Sequence, residues 1–150
     1  MKNLILRASR RTYDIGLGLL IVRVAVGLIF FVHGWDKVHS IDNTVRMMQT
    51  LGLGGAPMAY FIAWLEVLGG LALIFGVATR VLGVVFGIEM AVAVLKIGNT
   101  FGFHGYEFPL LLSALSFALA FAGSGKFSLY PLECPRCGGM FCEGGNSCAA

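Results

Sequence analysis

The stretch Ile15–His39, IGLGLLIVRVAVGLIFFVHGWDKVH, restricts what this chain can fold into more than any other part of it. From Ile15 to Val32 it is apolar except for Arg23, and it closes on His33, Asp36, Lys37 and His39. A run of this kind has the length to cross a bilayer as a helix. An arginine inside such a run costs roughly 3 kcal/mol on insertion scales, so it is expected to face protein or a wet cavity instead of lipid. Gly16, Leu20, Arg23, Gly27, Phe30, Gly34 and Lys37 step by three or four and share one helical face. The glycines on that face let a neighbouring helix come close.

Composition agrees with a membrane chain. Hydrophobic residues make up 57% and charged residues 13%, with a mean hydropathy of +0.83, which excludes an ordinary soluble domain. The lipid bilayer is therefore the first partner. A net charge of +3, scattered along the chain, does not argue for nucleic acid. No small-residue cleavage site of the A-x-A kind follows the first apolar run, so no cleavable signal peptide is expected.

The expected fold is all-α: a four-transmembrane-helix bundle with a short interfacial helix after the first span and a small Cys-rich C-terminal tail. Residues 1–14 form a basic cytoplasmic N-terminal segment with Lys2, Arg7, Arg10 and Arg11, read as a solvated tail. The membrane domain is 15–125, with spans at about 15–35, 57–77, 81–98 and 107–123. Ser40–Gly55 is too short and polar to span and has the apolar spacing of a surface helix. Pro57 and Pro109 each suit the first turn of a helix, and TFGFHGYE reads as a loop before the last span. Arg80, Lys126 and Arg136 join the N-terminal basic residues on one side, against Lys37, Arg46 and Lys96 on the other. The positive-inside rule then places both termini in the cytoplasm of a prokaryotic inner membrane.

Two polar layers are predicted within the bundle. Counting the helical rise from the inner ends places Arg23 and Glu89 about 12 Å deep, with Glu66 a few ångströms above them. Arg23, Glu66 and Glu89 thus form a candidate buried polar centre, in which one carboxyl is expected to hold a proton. Charges inside a membrane are functional by default, although they also serve as polar glue between helices. His33, Trp35, Lys37, His104 and Glu107 form a candidate outer-mouth pocket, with Phe101, Phe103 and Tyr106 as further apolar wall. A small polar or quinone-like molecule would suit it. Two histidines also admit haem or copper, but their spacing selects neither.

The four cysteines are confined to the tail, at Cys134, Cys137, Cys142 and Cys148. CPRCGG has the look of one knuckle of a zinc ribbon, and four thiolates within so short a segment can close a tetrahedral zinc site. Redox cycling or cluster ligation by the CxxC pair, or a passive tail, are the competing readings; a Gly-rich coil lacks the helix N-terminus that lowers a thiol pKa.

Several segments together resemble the DoxX family of small four-helix membrane proteins. They are LGLLIVRVAVGLIFFVHGWDKV, AWLEVLGGLALIFGVATR, the third-span Glu89 and GFHGYEFPLLLSALSFALAFAGSGKFSL, within about residues 15–130. The family was named from genes near a terminal quinol oxidase, and its relatives include a subunit of thiosulfate:quinone oxidoreductase and proteins tied to thiol and oxidative-stress defence. The resemblance implies a membrane subunit of a redox complex, quinone- or sulfur/thiol-linked, with other membrane-protein subunits as partners. The alternatives are a non-catalytic accessory subunit that docks a partner through its Cys tail, and a transporter that needs an oligomer to enclose a path. Whether the chain itself turns over a substrate is left open.

Overall fold

In the computed structural model the backbone is described for residues 2–101 and 103–125, and side chains for 16–96 and 104–125. The chain runs through α1 (Lys2–His39), α2 (Ile41–Thr50), α3 (Ala56–Phe75), α4 (Thr79–Phe101) and α5 (Phe103–Ala122). Three of these are long and apolar enough to cross a membrane among the described residues: Gly16–His39 of α1, Ala56–Phe75, and His104–Ala122 of α5. At 23 residues α4 matches them in length, but it carries Arg80, Glu89 and Lys96.

Several boundaries differ from the sequence expectation. Helix α1 begins at Lys2, so the backbone of the basic N-terminal segment continues the first span as helix. Extending a formed helix adds one hydrogen bond per residue fixed, whereas starting one is costly, and no proline or cap interrupts the run. The expected loop TFGFHGYE is largely helical, since α4 continues to Phe101 and α5 resumes at Phe103. Backbone amides at the edge of an apolar slab lose water, and helix is the conformation that satisfies them. Pro109 consequently lies inside α5 and not in its first turn. The tail, with Cys134, Cys137, Cys142 and Cys148, lies outside the described residues.

The ends of α2 and α3 follow from local chemistry. Helix α2 turns Thr44 and Met48 inward and leaves Asp42, Asn43, Arg46 and Gln49 exposed, the amphipathic pattern expected of a helix lying on a surface. Pro57 opens α3 where its missing N–H is harmless. Gly76 closes α3 with φ 77°, and its N–H and that of Val77 return to the carbonyls of Leu73 and Ala72.

Packing divides the helices into two tight antiparallel pairs, α1 with α3 and α4 with α5. In each pair glycine admits backbone to backbone. A Cβ at Gly70 would stand 2.7 Å from the Gly27 carbonyl oxygen and the Phe31 nitrogen. One at Gly83 would stand 2.7 Å from the Ser116 carbonyl oxygen and the Ala120 nitrogen. Ser113 Oγ donates to the Gly87 carbonyl at 2.9 Å across the second pair. Phe30 of α1 and Phe86 of α4 stack with centroids 3.8 Å apart, joining the pairs within a core that includes Val26, Leu73, Leu112 and Leu119. Ile21, Leu28, Leu68, Leu95, Leu111 and Phe121 point outward. An apolar exterior around a packed interior is what a lipid-facing bundle requires.

Candidate functional site

Between the two pairs, closed on one side by α2, lies a cavity of about 510 Å³. All five helices contribute to it. Its walls are Phe30, Phe61, Phe108, Ile62, Leu65 and Leu112, with Val85 and Ile88 from α4. Its α2 side carries Met47 and Met48, and Met58 and Met90 also line it. Methionine side chains are flexible and polarisable, and a surface built from them adapts to what it covers. The ionisable residues that reach the cavity are His33 and Lys37 of α1, Glu66 of α3 and Glu89 of α4.

The pair α1–α3 sets this polar end. Gly34 lies against Glu66 and Val67, and Gly27 against Gly70 and Ile74, which fixes the antiparallel register. Glu66 stands midway along α3 and its side chain is 1% exposed. Lys37, one turn beyond Gly34, has a Cα–Cβ bond tilted toward the helix N-terminus, which directs its stem back into the bundle. Its Nζ hydrogen-bonds and ion-pairs with Glu66 Oε1. Glu89 stands within electrostatic reach of both Glu66 and Lys37. No described protein donor bonds Glu66 Oε2 or either Glu89 oxygen, and all three are buried.

The structure therefore divides the residues that the sequence grouped. Arg23 is 2% exposed, as an intramembrane arginine should be, but neither acid bonds to it. Its Nη1 donates to the Ser124 carbonyl oxygen at 2.6 Å, just beyond the C-terminus of α5. On α1 it lies 14 residues before Lys37, about 21 Å along the axis. The α1–α3 register carries it to the far end of α3, level with the α3–α4 turn, and not to the middle of the bundle. There the guanidinium meets the Ser124 carbonyl near the negative end of the α5 dipole, which is a sound structural use of a buried cation. Arg23→Ala is expected to lower stability by about 2 kcal/mol, with Arg23→Lys recovering part of the loss, read from thermal unfolding in detergent.

The outer-mouth set divides as well. His33 and Lys37 line the cavity, and the His33 ring lies 5.8 Å from that of Phe108. Trp35, His104 and Glu107 do not line it. Trp35 is 48% exposed and its ring lies 4.8 Å from His39. His104 and Glu107 face each other at 3.7 Å, one turn apart on the outside of α5. Because α5 starts at Phe103, these residues sit on helix and not on a loop that could fold over the opening. His104→Ala and Trp35→Ala should both leave any ligand retained in the cavity unchanged in amount, measured by extraction and chromatography.

Lys37 belongs to the face of Gly27, Phe30 and Gly34, so it had to point at whatever those glycines pack against. The methionine side of the cavity was legible in part, through the apolar spacing of Ile41, Val45 and Met48. Among the described residues, no three His, Cys, Asp or Glu side chains group as a metal site.

Fold and site together define a small helical membrane protein with an internal cavity, apolar along its walls and charged at one end. The chain belongs to the DoxX family, whose model matches residues 18–105. It is 39% identical over 116 residues to a Bacillus subtilis (strain 168) protein named "Putative oxidoreductase CatD", covering 77% of this chain and 86% of that one. Over 81 residues it is 38% identical to the inner membrane protein YphA of Escherichia coli (strain K12), covering 51% of this chain and 58% of YphA. Over 63 residues it is 35% identical to the inner membrane protein YqjF of the same strain, covering 42% of this chain and 48% of YqjF. No solved structure matches the chain.

Proposed function

We propose that this protein is an integral inner-membrane subunit of a redox-linked assembly, quinone- or sulfur/thiol-dependent, and that the cavity between its helix pairs seats the redox ligand. The cavity carries this reading. Its volume lies in the range that holds a ring-bearing small molecule, and its walls are apolar with polar groups gathered at one end. The names of the relatives add support: one is called an oxidoreductase and two are called inner membrane proteins.

A quinone fits the donor set. Lys37 spends one hydrogen on Glu66 and keeps two for a ring carbonyl, while the phenylalanines cover the ring and exclude water. When bound, such a ring supplies reversible electron and proton exchange. The residues of this chain would orient it, with Lys37 as donor and Glu66 and Glu89 as the carboxyls within reach of its oxygens. Protein extracted in mild detergent should carry isoprenoid quinone in its solvent extract. Lys37→Ala and Glu66→Gln should lower that amount severalfold, with His104→Ala as the control. Wild-type protein free of quinone, or variants that retain it fully, would count against the reading.

Helix α4 is proposed as the fourth span. Its Glu89 turns to the cavity and Arg80 lies in its first turns, where a cation can reach the membrane surface. Both termini then lie in the cytoplasm, and the tail is proposed to bind zinc through Cys134, Cys137, Cys142 and Cys148. Metal analysis should find about one zinc per chain, lost on Cys134→Ser.

A non-catalytic accessory role is the second reading. It is favoured by an open apolar groove between α3 and α4, about 690 Å³, with Tyr60, Trp64, Leu68 and Val81 at its sides and Gly69 and Ala72 among its lining. Gentle extraction followed by native mass measurement tests it, since a chain that emerges alone has no assembly to support.

A further inference from the structure

The charges at the polar end of the cavity do not balance. Two carboxyl groups, Glu66 and Glu89, stand beside one ammonium, Lys37. The other ionisable lining residue is His33, which is exposed, and no ionisable side chain of α2 or α5 lines the cavity. Three carboxyl oxygens, Glu66 Oε2 and both of Glu89, are buried with no described protein donor bonded to them. A buried negative charge without a partner is costly in low-dielectric surroundings, so the site is completed by one positive unit. A proton is the smallest. The space beside it, with Phe30, Phe61 and Phe108 in its walls, is large enough for an organic cation, and aromatic faces attract cations.

We propose that the cavity binds a hydrophobic monocation, of the class of aromatic-bearing ammonium compounds, in exchange for the proton held between Glu66 and Glu89. Glu89 is the principal seat because Lys37 is already committed to Glu66. The exchange is balanced in charge: one cation enters and one proton leaves to water. The inference rests on the charge count alone and not on the quinone reading. It also separates the two ligands, because a neutral ring sits against the protonated pair and a cation against the deprotonated one.

Benzyltriethylammonium is a suitable probe because it has no proton of its own to lose. The full chain, purified in detergent, should bind it at one site by isothermal titration, with release of about one proton to a weakly buffered solution. Affinity should fall about tenfold for each pH unit lowered once protons compete effectively for the pair. The neutral N,N-diethylbenzamide should bind at least about tenfold more weakly at high pH, since it cannot replace the proton. Glu89→Gln should abolish cation binding and proton release, and Glu89→Asp should restore both in part. Proton release is read on the wild type, so a Gln variant that fails to fold does not remove the test. Absence of binding between pH 6 and 9, binding without proton release, or equal binding of the amide would each overturn the proposal. Quinone retained with no cation bound overturns this inference alone; cation bound with no quinone found overturns the quinone reading alone.

Discussion

Lys37→Met is expected to destabilise the protein by about 3–5 kcal/mol, the usual consequence of removing one partner from a buried ion pair. Glu66 is 1% exposed on its side chain and midway along α3, so without the ammonium its charge has no ion-pair partner in low-dielectric surroundings. The loss should be partly reversed in the double variant Lys37→Met with Glu66→Leu, because replacing both charges by apolar groups of similar size removes the desolvation cost with the attraction. Thermal unfolding of the detergent-solubilised chain, run as a double-mutant cycle, measures the coupling. If the single variant melts like the wild type, the ammonium of Lys37 does not sit on Glu66. The same series separates two uses of the pair. A purely structural pair predicts a stable double variant that keeps its ligand; a binding pair predicts a stable double variant that loses it.

The second large effect is expected at Gly70. Gly70→Leu should cost about 3 kcal/mol or more, because the atoms its Cβ would meet are backbone and cannot rotate away. At 2.7 Å from the Gly27 oxygen and the Phe31 nitrogen, even the first carbon of a side chain requires α1 and α3 to separate. Separation has a second readout. Lys37 and Glu66 lie across that same contact, so Gly70→Leu should also reduce ligand retained in the cavity. Gly18→Leu is the natural comparison, since a Cβ at Gly18 meets nothing within 4 Å and the position is exposed. Equal melting of the Gly18 and Gly70 variants would show that α1 and α3 do not pack through these glycines.

Much of this arrangement is legible in the amino-acid sequence. The apolar runs containing Arg23 and Glu66, the prolines at 57 and 109 and the glycine-rich turns define an all-α membrane chain, because long uninterrupted hydrophobicity has few other physical outcomes. The amphipathic character of α2 was equally plain from Ile41, Val45 and Met48 at helical spacing. Less could be read where two rules competed. Lys96, Gly98 and Asn99 dilute the end of α4 ahead of an expected loop, yet the cost of leaving amides unsatisfied near lipid keeps most of that segment helical. At Arg23, depth counted from an assumed helix end misled, since α1 continues to Lys2 and its apolar run does not mark the edge of the bundle.

By itself, then, the sequence determined that helices cross a membrane, that charged residues Arg23, Glu66 and Glu89 are held inside, and that glycine marks the faces where helices meet. Periodicity and hydropathy are properties of one segment at a time, and those statements need no more. Which charge meets which was decided only by tertiary structure, because it depends on the register between two helices. A shift of two turns, about 11 Å, exchanges one neighbour for another without altering either helical face. The close approach at Gly34 and Gly70 sets that register, bringing Lys37 to Glu66 and leaving Arg23 to close the end of α5.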